Sequence, residues 1–96
     1  MSSAAVNLIA QIPSRPGRGP EVLALLQAYA VHVNADPGCD RFEVYLDRED
    51  GDQVVVIERY RDDAAVEAHL ADPENGVLNA KLAELTLGGS QLQFLV

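Results

Sequence analysis

Residues 41–61 have the sequence RFEVYLDREDGDQVVVIERYR, and this stretch decides the fold. In its first part Phe42, Val44 and Leu46 alternate with polar side chains, a pattern typical of a strand with one buried face. A polar stretch containing glycine follows, and the apolar run over residues 54–57 then predicts a second strand. Two strands joined by a short polar loop predict an antiparallel hairpin.

On each side this hairpin is flanked by helix and then by strand. Residues 5–12 are mostly apolar and predict the first strand, and Pro20 suits the first turn of the helix that follows. After the hairpin, apolar residues at helical spacing over 64–71 and 74–85 predict two helical segments, and residues 91–96 alternate as a last strand. The order β-α-β-β-α-β predicts an α+β, ferredoxin-like fold, whose antiparallel sheet carries its helices on one face.

Length and composition limit the classes of protein that fit. Ninety-six residues with 48% hydrophobic side chains predict one folded domain over residues 1–96. The net charge is −8, so no nucleic acid and no membrane surface, both anionic, is expected as a partner. A single cysteine cannot form an internal disulfide. No apolar run approaches the ~20 residues of a membrane span. Residues 1–5 lack the features of a signal peptide. These observations predict a cytoplasmic protein.

The run over residues 54–57 also predicts an oligomer. It is apolar at both alternating positions, so both faces of its strand require burial. Helices on one face of the sheet leave the other face uncovered, and a domain of this size has a thin core. A second copy of the chain is the natural cover, and we therefore expect a homodimer formed through this face of the sheet.

Four short motifs resemble those of one known family. In chain order they are Pro37-Gly38-Cys39, Arg41-Phe42-Glu43-Val44-Tyr45, Glu58-Arg59-Tyr60 and Ala68-His69-Leu70. Between Val6 and Leu85 the chain resembles the antibiotic biosynthesis monooxygenase (quinol monooxygenase-like) family. The resemblance implies a dimeric α/β barrel built from two ferredoxin-like halves. It also implies an oxidoreductase that uses O₂ to oxidise a small aromatic substrate, a quinol or polyphenol, without any cofactor.

Two other functions are compatible with the same resemblance. One is a non-catalytic dimeric protein that binds a small ligand or is associated with stress, and its pocket would need no reactive group. The other is a haem-degrading enzyme. Tyr60 stands where the haem-degrading relatives have tryptophan, so the resemblance favours this last function least.

His69 and Tyr60 are the predicted catalytic residues. His69 lies at the edge of the apolar stripe of its helix, where an imidazole can accept a proton near neutral pH. A half-buried structural histidine is the alternative at this position. The Tyr60 phenol can donate a hydrogen bond to a substrate oxygen, and its alternative is a core aromatic at a strand end.

Asn7, Glu58 and Val77 are the predicted substrate-binding residues. Asn7 interrupts an apolar strand and needs a polar partner, and similar proteins point an asparagine of this strand into their cavity. Glu58 could act as a base if apolar neighbours raise its pKa, but an ion pair with an arginine is the favoured interpretation. The candidate arginines are Arg41, Arg59 and Arg61. The segment 72–77 departs from the family, in which an aromatic commonly follows the proline, and Gly76 and Val77 leave that part of the pocket wall open. Two separated histidines and one cysteine form no metal-binding motif, and no metal is predicted.

Overall fold

The predicted order of elements is confirmed by the computed structural model, which describes residues 4–96. In chain order the elements are strand β1 (Val6–Pro13), helix α1 (Gly19–Asn34), strands β2 (Cys39–Leu46) and β3 (Gln53–Tyr60), helices α2 (Asp63–Ala71) and α3 (Pro73–Ala83), and strand β4 (Gln91–Leu95). The strands form one sheet in the order β2-β3-β1-β4, in which every neighbouring pair is antiparallel. The α+β, ferredoxin-like fold is thereby confirmed.

Two aspartates set the ends of the helices that follow the hairpin. The Asp62 side chain accepts a hydrogen bond from the backbone N–H of Ala65 at 2.8 Å and so caps the start of α2. Asp72 separates α2 from α3 and caps the second of them through the N–H of Glu74. Pro73 then occupies the first turn of α3, where its missing N–H has no cost. The last turn of α2, which carries His69, is thus held at a fixed place over the sheet.

The core lies between one face of the sheet and the helices. Alternate residues of β1 and β3 point towards α1, and they bury their side chains almost completely against it. The most deeply buried apolar residues of this layer are Ile12, Val22, Val54, Val56 and Tyr60. This layer supplies most of the apolar burial that stabilises the fold.

The opposite face of the sheet is covered much less. Val55 and Ile57 alternate with the buried valines of β3, and both are only half-buried. Tyr45 and Leu95 on this face are exposed. Both alternating positions of β3 are therefore apolar, as the sequence indicates, but the described residues bury only one set of them. Within residues 4–96 no helix has the length and apolar character needed to cross a membrane.

The last strand forms an open edge of the sheet. β4 pairs with β1 alone, and all five of its residues are exposed. Leu92 lies opposite Ala10 and Phe94 opposite Leu8, so both of these apolar side chains stand on the helix side of the sheet. They face the space between the sheet and α3 that is described next.

Candidate active site

A cavity of about 500 Å³ lies between the helix side of the sheet and the three helices. Most of its wall is aliphatic and comes from six different elements, with Ile12, Leu26, Val56, Val66, Leu78, Leu82 and Leu92 among the lining residues. Polar side chains are few: Glu58, His69 and Tyr29 form one group, and Asn75 and Asn79 on α3 form another. A large apolar cavity with a few polar groups is the usual form of a small-molecule site.

Glu58 is the buried acid of this cavity. It lies on β3 between Leu8 of β1 and Phe42 of β2, and only 6% of its surface is exposed. The Tyr60 hydroxyl, two residues along the same strand, donates a hydrogen bond of 2.5 Å to Oε1 of Glu58. Burial raises the pKa of the Glu58 carboxyl to about 7, although the hydrogen bond from Tyr60 acts in the opposite direction.

The favoured interpretation of Glu58 as half of an arginine ion pair is wrong. Each candidate arginine is paired elsewhere: Arg41 with Glu43 at 2.9 Å, Arg59 with Asp40 at 3.9 Å, and Arg61 with Asp62 at 3.6 Å. Arg59 follows Glu58 directly, so the alternation of the strand places it on the opposite face of the sheet. In the described part of the chain no lysine or arginine nitrogen lies within 4.0 Å of the Glu58 carboxyl.

His69 projects from the last turn of α2 onto the same carboxyl group. Its Nε2 lies 3.9 Å from Oε1 of Glu58, which is within ion-pair range but too long for a hydrogen bond. The imidazole ring packs against the Tyr60 ring, with a centroid distance of 5.1 Å, and only 12% of the side chain is exposed. Burial lowers the pKa of His69, so the ring is neutral at pH 7.

A second, smaller cavity lies behind His69. It measures about 280 Å³, and its lining is more polar than that of the large cavity. Its titratable lining residues are His32, Asp36, Cys39, Tyr60, His69 and Asp72. Nε2 of His32 lies 2.8 Å from Oδ2 of Asp72 at its exposed side. Among the described residues His69 alone lines both cavities, so its ring is the wall between them.

The structure brings His69, Tyr60 and Glu58 together, but it places Asn7 and Val77 elsewhere. Asn7 points to the far side of the sheet, where its Oδ1 accepts a hydrogen bond of 3.2 Å from Nη1 of Arg59. Val77 is 52% exposed on α3 and does not line the large cavity. Neither residue is in position to contact a molecule held there by this chain.

Tyr29 and Phe42 are site residues that the sequence does not single out as candidates. Both line the large cavity, and their rings stand edge to face at a centroid distance of 5.8 Å, next to the His69 ring. The Tyr29 hydroxyl is buried and has no hydrogen-bond partner in the described structure. The sequence signal of both residues is that of core positions, and only the fold shows that they border a cavity.

The remaining reactive side chains offer no alternative centre. Cys39 is buried, and burial raises the pKa of its thiol, which keeps it in the unreactive protonated form. Within residues 4–96 no group of three or more histidine, cysteine, aspartate or glutamate side chains is placed to hold a metal ion.

Fold and cavity together define a small ferredoxin-like protein with an apolar cavity beside a buried acid, a histidine and a tyrosine. The chain belongs to the antibiotic biosynthesis monooxygenase family, whose sequence model matches residues 5–79. The resemblance noted in the sequence is thereby confirmed. A protein of Mycobacterium tuberculosis named "Putative monooxygenase Rv0793" is 32% identical over 80 residues, which cover 83% of this chain and 78% of that protein.

Solved structures agree with this assignment. The structure of Rv0793 from Mycobacterium tuberculosis superposes with a TM-score of 0.87 at 28% identity, and the match covers 97% of this chain and 94% of that one. The crystal structure of PA3566 from Pseudomonas aeruginosa has the same TM-score at 27% identity, with 99% and 95% of the two chains covered. The fold is thus common to nearly the whole length of all three proteins.

Proposed function

We propose that this protein is a monooxygenase that uses O₂ to oxidise a quinol or related polyphenol, without metal or flavin. The observation that carries the proposal is the Glu58 carboxyl, which lies in an apolar cavity with no cationic partner and with its pKa raised to about 7. Such a group can accept a phenolic proton at neutral pH. Membership of the monooxygenase family and the similarity to Rv0793 support the reaction class.

The cavity supports an aromatic substrate. Its volume of about 500 Å³ falls in the usual range for small-molecule sites, ~300–1,000 Å³, and leaves room for two or three fused rings. The aliphatic wall favours an apolar ring system, because burial of apolar surface is the main favourable term. The amides of Asn75 and Asn79 provide hydrogen bonds for ring substituents.

The proposed reaction needs only the substrate, O₂ and a base. The phenol gives its hydroxyl proton to the base, and the phenolate then gives one electron to O₂, which forms a phenoxyl radical and superoxide. These two radicals combine at a ring carbon that bears hydrogen, and the resulting peroxide anion takes a proton. Loss of the proton on that carbon breaks the O–O bond and releases hydroxide, which is protonated to water. One quinol and one O₂ thus give one hydroxyquinone and one water.

The protein contributes proton transfer, orientation and exclusion of water to these steps. A base that is already close to the hydroxyl removes the cost of bringing the two together. The aliphatic wall keeps water from the radical pair and from the peroxide, which limits side reactions. The chain supplies these contributions with side chains that the described cavity already contains.

We also propose a homodimer that buries the open face of the sheet. Half-buried Val55 and Ile57 and exposed Tyr45 and Leu95 form an apolar surface there. Two copies of one apolar surface can cover each other around a twofold axis, the commonest symmetry of small oligomers. Light scattering that gives twice the 10.3 kDa monomer mass is the expected result, and a monomer mass at all concentrations would contradict it.

Oxygen consumption by metal-free protein tests the proposed reaction. A panel of reduced quinones and anthrones is supplied with ¹⁸O₂, and we expect one O₂ consumed per substrate and one labelled oxygen in the product. The variant Glu58→Gln is the matched control for uncatalysed oxidation. Tight binding of the panel without any oxygen uptake would favour the non-catalytic ligand-binding alternative. Haem that binds and is bleached to a bile pigment in the presence of a reductant would instead favour the haem-degrading alternative.

A further inference from the structure

We propose that Glu58, and not His69, is the catalytic base that takes the phenolic proton, and that Tyr60 and His69 are positioning residues for its carboxyl group. This assignment rests on the proposed function, because it names the base in that reaction. It differs from the prediction made from the sequence, in which His69 is the proton acceptor.

The two oxygens of the Glu58 carboxyl have different surroundings. Oε1 accepts the hydrogen bond from Tyr60 at 2.5 Å and faces His69 at 3.9 Å. Oε2 has no hydrogen-bond partner among the described residues, and Glu58 is part of the wall of the large cavity. One oxygen therefore fixes the carboxyl group, and the other is free to accept a proton from a molecule inside the cavity.

Among the described residues of this cluster, only Glu58 becomes charged as the pH rises through about 7. The titratable groups that face it come from four elements: Tyr29 on α1, Cys39 on β2, Tyr60 on β3 and His69 on α2. Burial raises the pKa of the two phenols and the thiol and lowers that of the imidazole, so all four are neutral. Farther out, Asp36, His32 and Asp72 act on His69 across the smaller cavity.

This distribution of charge favours a carboxylate over an imidazole as the base. Proton transfer from a phenol to a carboxylate moves one negative charge from the protein to the substrate. Transfer to a neutral imidazole would create two new charges in the apolar cavity, and separated charges are costly at low dielectric. Raising the Glu58 pKa from 4.5 to about 7 also improves the proton-transfer equilibrium by about 300-fold.

Tyr60 and His69 act on Glu58 and not on the substrate. The Tyr60 hydroxyl does not line the large cavity, and its hydrogen bond stabilises the charged carboxylate. The His69 ring closes the cavity next to Glu58 and separates it from the polar cavity behind. The hydrogen bond from Tyr60 thus holds the carboxyl group in position, and the His69 ring shields it from the smaller cavity.

Binding of substituted phenols without O₂ tests the assignment. The probes are nitrophenols and halogenated phenols of graded acidity, whose phenolate forms have their own absorption bands. At a pH above the Glu58 pKa, the more acidic probes should bind as phenolates. In the infrared difference spectrum a carboxylic acid band should appear in the same proportion, because Glu58 has taken the proton. Glu58→Gln should remove this band completely, and His69→Gln should retain it.

Two further variants separate position from mere stability. Tyr60→Phe should keep the band but raise the pH range over which Glu58 loses its proton, because the carboxylate loses its hydrogen-bond donor. Glu43→Gln is the matched control, since Glu43 is paired with Arg41 on the surface; its spectrum should equal that of the wild type. Nitroanisoles are similar in shape to the nitrophenol probes but have no acidic proton. Their binding therefore measures whether each variant still forms the cavity.

The outcomes decide the base and the reaction separately. A carboxylic acid band that survives in Glu58→Gln, a band lost in His69→Gln while the nitroanisoles still bind, or no phenolate with any probe would overturn the assignment. If the band behaves as expected but no substrate consumes O₂, the base is correct and the proposed oxidation is wrong. If O₂ is consumed but no band appears, the oxidation stands and another group is the base.

Discussion

Glu58 and Arg59 are neighbours on β3, yet they lie on opposite faces of the sheet and in opposite electrostatic surroundings. On the open face Arg59 is half exposed, lies 3.9 Å from Asp40 and donates a hydrogen bond to Asn7. On the helix face Glu58 is buried, has no lysine or arginine partner among residues 4–96, and has its pKa raised to about 7. Charge on the open face is paired and solvated, whereas charge on the covered face is isolated beside a cavity. This contrast locates the candidate site more clearly than residue identity alone.

The largest expected effect is on turnover and comes from the helix face. Glu58→Gln removes the base but keeps an acceptor for the Tyr60 hydroxyl, so kcat should fall by ~10²–10⁴. Arg59→Gln, the matched change on the open face, should leave kcat within a factor of about two. Steady-state oxygen uptake by both variants on the same substrate measures the contrast. Equal losses in the two variants would show that the faces do not differ in function.

The second prediction concerns stability and pH. Because the folded-state pKa of Glu58 is raised, its contribution to stability is fully present below the unfolded pKa and is lost as pH rises through the folded pKa. Between pH 4.5 and pH 7 this loss amounts to about 3 kcal/mol in the free energy of unfolding. His69, whose pKa is lowered, acts in the opposite direction over the same range.

Comparison of two proteins isolates the contribution of Glu58. Urea unfolding of wild type and Glu58→Gln is measured at several pH values, and the difference between them should grow as pH rises, in favour of the variant. The same series with Glu43→Gln should show no such growth between pH 4.5 and pH 7, because Arg41 lowers the pKa of Glu43 and its titration lies below this range. A constant difference between wild type and Glu58→Gln would mean that the buried carboxyl titrates normally.

The third prediction compares adjacent valines of β3. Val56 is 1% exposed in the core, so Val56→Ala should reduce the free energy of unfolding by about 2 kcal/mol. Val55 is half-buried on the open face, and Val55→Ala should cost less within one chain. If two copies bury that face, the cost of Val55→Ala should increase with protein concentration, while that of Val56→Ala should not. Chemical unfolding at several concentrations measures both.

The smallest expected effect comes from His69. As a positioning residue it should affect turnover through Glu58, so His69→Gln should lower kcat by about tenfold, or ~1.4 kcal/mol in the barrier. The pH inflection of the rate should remain, displaced but present, because Glu58 is still the base. A rate loss as large as that of Glu58→Gln, with no inflection, would restore His69 to the role that the sequence predicts. Melting temperatures measured on the same samples exclude a folding defect.

The sequence was sufficient for the fold because its signals are local. Alternation in β2, the break at Asp72-Pro73 and the glycines before β4 each mark an element boundary, and the structure agrees with all three. Prediction of the site, in contrast, requires knowledge of contacts between residues that are far apart in the sequence. Residues 5–12 are apolar on both faces, so their pattern does not reveal that the helices cover Leu8 and leave Asn7 on the open side.

Side-chain partners across the fold were equally hidden. In the sequence Glu58 has both arginines and a tyrosine nearby, and any of them could be its partner. The structure decides for Tyr60, because Arg59 lies on the opposite face of the sheet. Val77 is predicted to border the pocket, but it precedes the buried Leu78 by one residue, and 100° of helical rotation moves it to the surface. His69 was found because the edge of an apolar stripe is itself a local signal.

Strand β4 forms part of the cavity wall and is held to the sheet by one ladder. Leu92 and Phe94 form part of the cavity wall, yet β4 is attached to the rest of the sheet only through β1. Glu58, Tyr60 and His69 lie on other elements, β3 and α2. Substitutions that weaken the pairing of β4 should therefore change the exchange of a bound molecule more than they change these three side chains.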